Sequence, residues 1–397
     1  MQTLLKRYLR LLNNVSTDFI RGIMDNINWS ERLIAIRGAR GVGKTTLMLQ
    51  YLKLHYEEYQ DKALYVSLDS AYFMQNTIYD FVEEFYLGGG KLIMFDEVHK
   101  YANWSQAIKN IYDEYPDLKI VFSGSSLIQI LNAEADLSRR CVAYDMQGLS
   151  FREYLKLFKG IDCKKYSLQE ILYNPNELCN EINAKFRPLE FFREYLQVGY
   201  YPFSNISEEY YTKIENVVNV IVDVELPYYC NVDFANIRKL KSLLVILSNE
   251  IPQQIDTTKT AGLIGVTRVT LLGYLNHLHR ANLITMLYSD MDSIRKMQKP
   301  DKIYPENTNL IHALATKEPN IGTIRETFFV NQLKYEHLVE YSKKGDFRID
   351  KEVVVEVGGA SKDGKQIADV ENAFIAADNV EYAVGNKIPL WCFGFLY

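Results

Sequence analysis

Nine residues, GARGVGKTT from Gly38 to Thr46, constrain the fold more than any other part of the chain. They match G-x-x-x-x-G-K-[ST], and the setting is the one that pattern requires. LIAI (33–36) before them reads as a buried strand, and TTLMLQYLKLHY as a helix from Thr45 onward. Glycines let the backbone curl so that successive N–H groups point inward, and the helix N-terminus adds partial positive charge. A turn of this kind cradles phosphate. Gly38, Ala39, Arg40, Gly41, Val42, Gly43, Lys44, Thr45 and Thr46 are therefore the candidate nucleotide-binding residues. Lys44 would reach the β- and γ-phosphates, and the Thr45 hydroxyl would ligate Mg2+. The bland alternative, a glycine-rich turn with an incidental lysine, fits these flanks poorly.

The text around the motif supports a parallel sheet. From Glu31 to about Gln147, short apolar runs (LIAI, ALYVSL, KLIMFDE, KIVFSGSS, CVAYDM) alternate with helix-length segments. KLIMFDE carries a strand into Asp96 and Glu97. Asp96 at the strand end is placed to hold Mg2+, and Glu97 to activate the attacking water. KIVFSGSS ends in hydroxyls, of which Ser123 and Ser125 could sense the γ-phosphate or simply form a turn. Asp69 lies on the same carboxyl edge, where such sheets bind ligands. Arg139 and Arg140 could serve a neighbouring subunit as arginine fingers or lie in surface ion pairs. No N-K-x-D tetrad for guanine is present, so ATP is the expected nucleotide.

At 397 residues the chain is too long for one ordinary core. A net charge of −5 excludes a global positive field for nucleic acid, leaving only local basic patches. The five cysteines are scattered without a C-x-x-C pair, which argues against a disulfide framework or zinc site and fits a reducing, cytoplasmic setting. MQTLLKRYLRLLNN reads as a short amphipathic helix rather than a signal peptide, and no apolar stretch is long enough to span a membrane.

Beyond residue 150 the patterns change. GLSFREYL (148–155), EYLQVGYYPF (194–203), KPDKIYPENTNLIHAL (299–314) and IGTIRETFFVNQL (321–333), added to the phosphate loop and the DE strand end, resemble the prokaryotic AAA-type ATPase family that carries a C-terminal domain of unknown function. The resemblance covers nearly the whole chain. It implies an α/β fold: a P-loop NTPase parallel sheet, a helical and winged-helix middle, and a C-terminal α/β domain like that of restriction endonucleases. The expected partition is an N-terminal helical segment at 1–30, the AAA-type core at 31–150, a helical region at 151–230, a winged helix-turn-helix at 231–300, and the nuclease-like domain, active or not, at 301–397.

The helix-turn-helix is also visible in the spacing from Thr257 to Asp290. Ala261, Leu263 and Ile264 would give the first helix its apolar face, and Gly265 and Val266 the turn. Thr267 would cap a second helix whose apolar side is Val269, Leu272, Leu275 and Leu278. DNA reading would use Thr267, Arg268 and Thr270 at that helix start. Basic residues nearby are few, namely Lys259, Arg268, Arg280, Arg295, Lys296 and Lys299, so packing against protein is the rival use. His277 and His279 are spaced so that they face different sides of the helix.

Restriction-like nucleases hold Mg2+ with one strand's acid and an acid–x–lysine on the next. Asp346 in GDFRID, Glu356 in VVVEVGG and Glu326 in RETFF give the acids of a candidate second metal site. The lysine position is Gly358, so Lys362 or Lys365 would have to reach back. The expected function is Mg2+-dependent ATP hydrolysis that switches or drives an attached nucleic-acid- or protein-binding half, alone or as a homo-oligomer. The rivals are a metal-dependent DNA nuclease with a regulatory ATPase, and an ATP-gated switch with little turnover.

Overall fold

The computed structural model describes residues 1–124, 137, 139–203, 209–230, 232–249, 256–289 and 299–397. Ser125, Ser126, Arg295 and Lys296 lie outside the described residues. The chain divides into two compact units, Met1–Gly148 and Leu149–Tyr397.

The first unit is built on five parallel strands: β1 (Leu33–Arg37), β2 (Ala63–Ser67), β3 (Leu92–Asp96), β4 (Lys119–Gly124) and β5 (Val142–Asp145). Their spatial order is β2-β3-β4-β1-β5. Central strands are covered on both faces, so they read as continuous apolar runs rather than alternating ones. Every residue of LIMFD in β3 is buried, whereas β5, at the sheet edge, has no buried residue. The order carries a switch between β1 and β4, and the carboxyl edge there is where ligands bind in open parallel sheets.

Helix α1 (Gln2–Asn14) buries Leu4, Tyr8 and Leu12, a spacing of one helical turn, as its amphipathic pattern predicts. Helix α2 (Lys44–Leu54) leaves the phosphate loop and is buried nearly all round from Leu47 to Leu52. That includes Gln50, whose amide donates to Ser16 O (2.8 Å) and Phe19 O (2.7 Å) and so ties the N-terminal segment to the helix.

The second unit holds a helical region, a two-stranded antiparallel ladder of β6 (Ile284–Leu287) with β7 (Lys302–Pro305), and a mixed sheet. The sheet runs β12-β11-β10-β9-β8, with β8 (Val339–Tyr341), β9 (Phe347–Ile349), β10 (Val353–Gly358), β11 (Ala373–Ala377) and β12 (Lys387–Pro389). β8, β9 and β10 pair antiparallel, and β10, β11 and β12 parallel. The β6–β7 ladder straddles residue 300, where the sequence suggested a domain boundary.

The blocks that carried the family resemblance have a packing role here. Asn309 of NTNLIHAL accepts from Tyr200 N (2.8 Å) and Tyr210 Oη (2.6 Å) and donates to Tyr195 O and Leu196 O. It is fully buried, and a buried amide with both ends satisfied fixes the elements around it. Ser150 of GLSFREYL caps the next helix in a reciprocal box with Glu153.

Helices Thr257–Ile264 and Arg268–Arg280 are joined through Gly265 in the left-handed region (φ 64°), and the Thr267 hydroxyl caps the second by accepting from Thr270 N (3.2 Å). The helices fall where the spacing placed them, but the buried faces differ. The second helix buries Leu271, Tyr274, Leu275 and Leu278, leaving Val269 80% exposed, and the first leaves Leu263 62% exposed. Counting from the Thr267 cap, the stripe at 271, 274/275 and 278 keeps the helical period, and Val269 lies off it.

Candidate functional site

The phosphate loop leaves β1 at Arg37, and Gly43 begins α2 with φ 102°, a conformation side chains avoid. Gly38 is required for space as well: a Cβ there would lie 2.3 Å from Met146 O. Lys44 is buried, and its Nζ donates to Gly38 O and Ala39 O, both at 2.9 Å. The ammonium is thus drawn across the mouth of its own loop. Arg21 braces the loop from outside. It donates to Val42 O (2.9 Å), Gln147 O (2.8 Å) and Gly148 O (2.8 Å). No local pattern in the sequence points to this arginine.

Asp96, 2% exposed, is the hub. Its Oδ2 accepts from Thr45 Oγ1 (2.5 Å) and Tyr65 Oη (2.7 Å), and its Oδ1 accepts from Glu97 N (2.9 Å) and the Ser123 hydroxyl. Burial, with the Asp96 carboxylate beside it, raises the Tyr65 phenol far above its ordinary range, so it remains a donor. Ser123, read from the sequence either as a γ-phosphate sensor or as part of a turn, gives its hydroxyl to Asp96. Glu97 stands just beyond the strand in the left-handed region (φ 53°), and its Oε2 lies 3.3 Å from His99 Nε2. Burial, reinforced by Lys100, Lys44 and Arg40, pushes His99 down to about 4.

Thr45 and Asp96 offer hard oxygen donors in direct contact, a set that suits Mg2+. The remaining candidates lie farther out. Asp69 is exposed. Arg140 forms a two-pronged pair with Asp113 (2.8 and 3.0 Å), the surface-pair alternative, and Arg139 is exposed.

The second unit gathers the other acids. Glu326, on the helix Ile321–Leu333, and Asp346, just before β9, both pair with Lys302 Nζ of β7 (3.0 and 3.4 Å). Tyr304 donates to Glu326 (2.6 Å), and Asp346 Oδ2 accepts from Val357 N (2.9 Å). Burial raises Glu326, Lys302 opposes the rise, and Asp346 adds to it. Glu356 on β10 is 1% exposed and takes Lys362 Nζ on Oε1 (2.9 Å), while its Oε2 is buried without a hydrogen-bond partner. Lys362 therefore makes the reach that Gly358 leaves open, and Lys365 pairs with Asp363 instead. Among the described residues, no three His, Cys, Asp or Glu side chains come together as a metal-holding group. Lys302 and Tyr304 were not foreseen, because their contacts with Glu326 and Asp346 join residues distant in sequence.

At the helix-turn-helix, Thr267, Arg268 and Val269 are exposed and Lys259 and Arg280 flank them. Among the described residues, no helix is long and apolar enough to cross a membrane.

An AAA domain family matches residues 30–155. The uncharacterized protein MJ1637 of Methanocaldococcus jannaschii is 26% identical over 399 residues, spanning 92% of this chain and 84% of that one. Among solved structures, the Walker-type ATPase PABY2304 of Pyrococcus abyssi aligns with 72% of this chain and 91% of its own at 13% identity and a TM-score of 0.37. AMPPCP-bound DnaA from Aquifex aeolicus aligns with 65% and 84% at 14% identity and 0.28. Structural likenesses this distant carry no argument about chemistry. The domain match and the parallel sheet with its phosphate loop agree on a P-loop NTPase α/β fold for this part of the chain.

Proposed function

We propose that the chain binds ATP with Mg2+ and hydrolyses it, using the cycle to switch or drive a protein- or nucleic-acid-binding activity of residues 149–397. The observation that carries this reading is the contact of Thr45 with Asp96 at 2.5 Å, at the foot of the phosphate loop and one residue from Glu97. Thr45 and Asp96 would hold Mg2+, which neutralises phosphate charge when bound. The loop amides from Gly38 to Thr46 bind and orient the phosphates. Lys44 exchanges its two loop carbonyls for phosphate oxygens. Glu97 accepts the proton of the attacking water. Lys44→Ala should abolish nucleotide binding, and Glu97→Gln should keep binding while losing turnover. Full turnover in Glu97→Gln would refute the role given to Glu97.

For the second unit, the exposed Thr267 and Arg268, with Thr270 half-buried beside them, favour a winged-helix contact with DNA, whereas exposed Val269 and Leu263 favour a protein partner. Unchanged DNA affinity in Arg268→Glu would exclude the former. A second reading, a metal-dependent nuclease with a regulatory ATPase, is favoured by the Lys362–Glu356 pair and the orphaned Glu356 Oε2. The oxygen donors Glu326, Asp346 and Glu356 suit Mg2+ in kind, though two of them are engaged by Lys302. Mg2+- or Mn2+-dependent cleavage lost in Glu356→Ala would establish it. Assembly into a homo-oligomer would give Arg139 a neighbouring site to enter. A reducing, cytoplasmic setting accords with five free cysteines.

A further inference from the structure

His99 is a buried imidazole that the scheme above does not use. It sits in a short 3-10 turn, Val98–Lys100, that follows β3. Its side chain is 0% exposed, whereas that of Glu97 is 26% exposed. The acid is therefore the more accessible of the two, and the histidine is enclosed. Glu97 also occupies a left-handed backbone conformation (φ 53°), which a non-glycine residue adopts at a cost and which surrounding contacts must hold. The charged groups acting on His99 are Lys100, Lys44 and Arg40, all cationic, and the Asp96 and Glu97 carboxylates. Cations and burial together disfavour an imidazolium, so the ring is neutral and presents one N–H. A neutral donor can orient a carboxylate without taking its proton.

We propose that His99 is a positioning residue for the hydrolytic step: its Nε2–H, 3.3 Å from Glu97 Oε2, fixes the carboxylate at the phosphate end of the sheet. The separation is at the long end of hydrogen-bond reach, as contacts of catalytic groups are before substrate tightens them. The inference rests on the ATPase reading and adds to it the group that aims the base. His99 acts only through Glu97 and touches no phosphate.

The test uses the full chain. ATP turnover is measured against concentration, and affinity is read separately with a fluorescent ATP analogue. His99→Leu removes the donor; His99→Gln returns an N–H at nearly the same reach. In His99→Leu, kcat should fall by roughly 10–100-fold, the scale of a misplaced catalytic group, with analogue affinity within about threefold of wild type. His99→Gln should recover most of the rate. On the residual turnover of Glu97→Gln, read in single-turnover assays at high enzyme concentration, His99→Leu should cause no further loss, because the path runs through Glu97. Should His99→Leu not fold, His99→Asn, which stops short of Glu97, takes its place with the same expected loss. Wild-type rate in His99→Leu, equal loss in His99→Gln, or additive loss with Glu97→Gln would each overturn the proposal. A wild-type chain that binds the analogue but never turns over ATP removes the ATPase reading and this inference with it. Turnover indifferent to His99 removes this inference alone.

Discussion

Asp96→Ala offers a test of the phosphate site that needs no nucleotide. Removing the carboxylate strips the acceptor from the Tyr65 and Ser123 hydroxyls, which belong to residues only 6% and 0% exposed. A buried donor left unmade costs about 1–3 kcal/mol, so two cost about 2–6 kcal/mol. For a unit of this size, each kcal/mol lowers the melting temperature by roughly 2–4 °C, which puts the expected fall at about 4 °C or more. The origin can be isolated with Tyr65→Phe. In the wild type this change deletes a hydrogen bond to a charged acceptor and should cost about 1.5–3 kcal/mol. In Asp96→Ala it deletes an orphaned hydroxyl and should be neutral or stabilising. The assay is thermal and urea unfolding of the nucleotide-free chain, followed by fluorescence. A loss below about 1 kcal/mol in Asp96→Ala, or an equal cost for Tyr65→Phe in both backgrounds, would refute the view of Asp96 as a fully engaged acceptor.

Other expectations follow from the same contacts. Burial holds His99 at about 4 in the fold, while an unfolded histidine titrates near 6.5. As pH falls, the unfolded chain takes the proton first, so this stability is complete above about 6.5 and drains between there and about 4, at up to roughly 1.4 kcal/mol per pH unit. Urea titrations should show a shallower acid loss in His99→Gln than in wild type, and parallel curves would contradict this. Lys362→Met should destabilise by on the order of 3 kcal/mol, because Glu356 loses its cation inside the protein. Adding Glu356→Gln should restore much of it, and a single variant as stable as wild type would show that Glu356 finds charge compensation elsewhere.

Features written in consecutive residues were legible in the sequence. The phosphate loop, the DE strand end and the Thr267 cap depend on local backbone geometry, and each lies where its residues place it. Features that depend on register were not. Tyr65 and Ser123 reach Asp96 because β2 and β4 flank β3, whereas KIVFSGSS read alone left Ser123 between a γ-phosphate sensor and a turn. Lys302 enters the acid cluster from β7, 24 residues before Glu326 and 44 before Asp346, a juxtaposition that no local pattern shows. Val269 was assigned to the buried face because leucine-like spacing alone does not fix the phase of a helix; the stripe through Leu271, Leu275 and Leu278 does. Lys362 could be named from its reach, but the choice between it and Lys365 was made by the turn after β10.

Arg21 adds a mechanical consequence. One guanidinium grips the Val42 carbonyl of the phosphate loop and the carbonyls of Gln147 and Gly148, the last residues before the chain passes into its second unit. A buried cation donating to several carbonyls resists letting go of any one of them. If phosphate entry rotates the Val42 peptide, the strain is shared at once with the strand of chain that leaves the unit. The loop and the exit are moored to the same post, one side chain holding both.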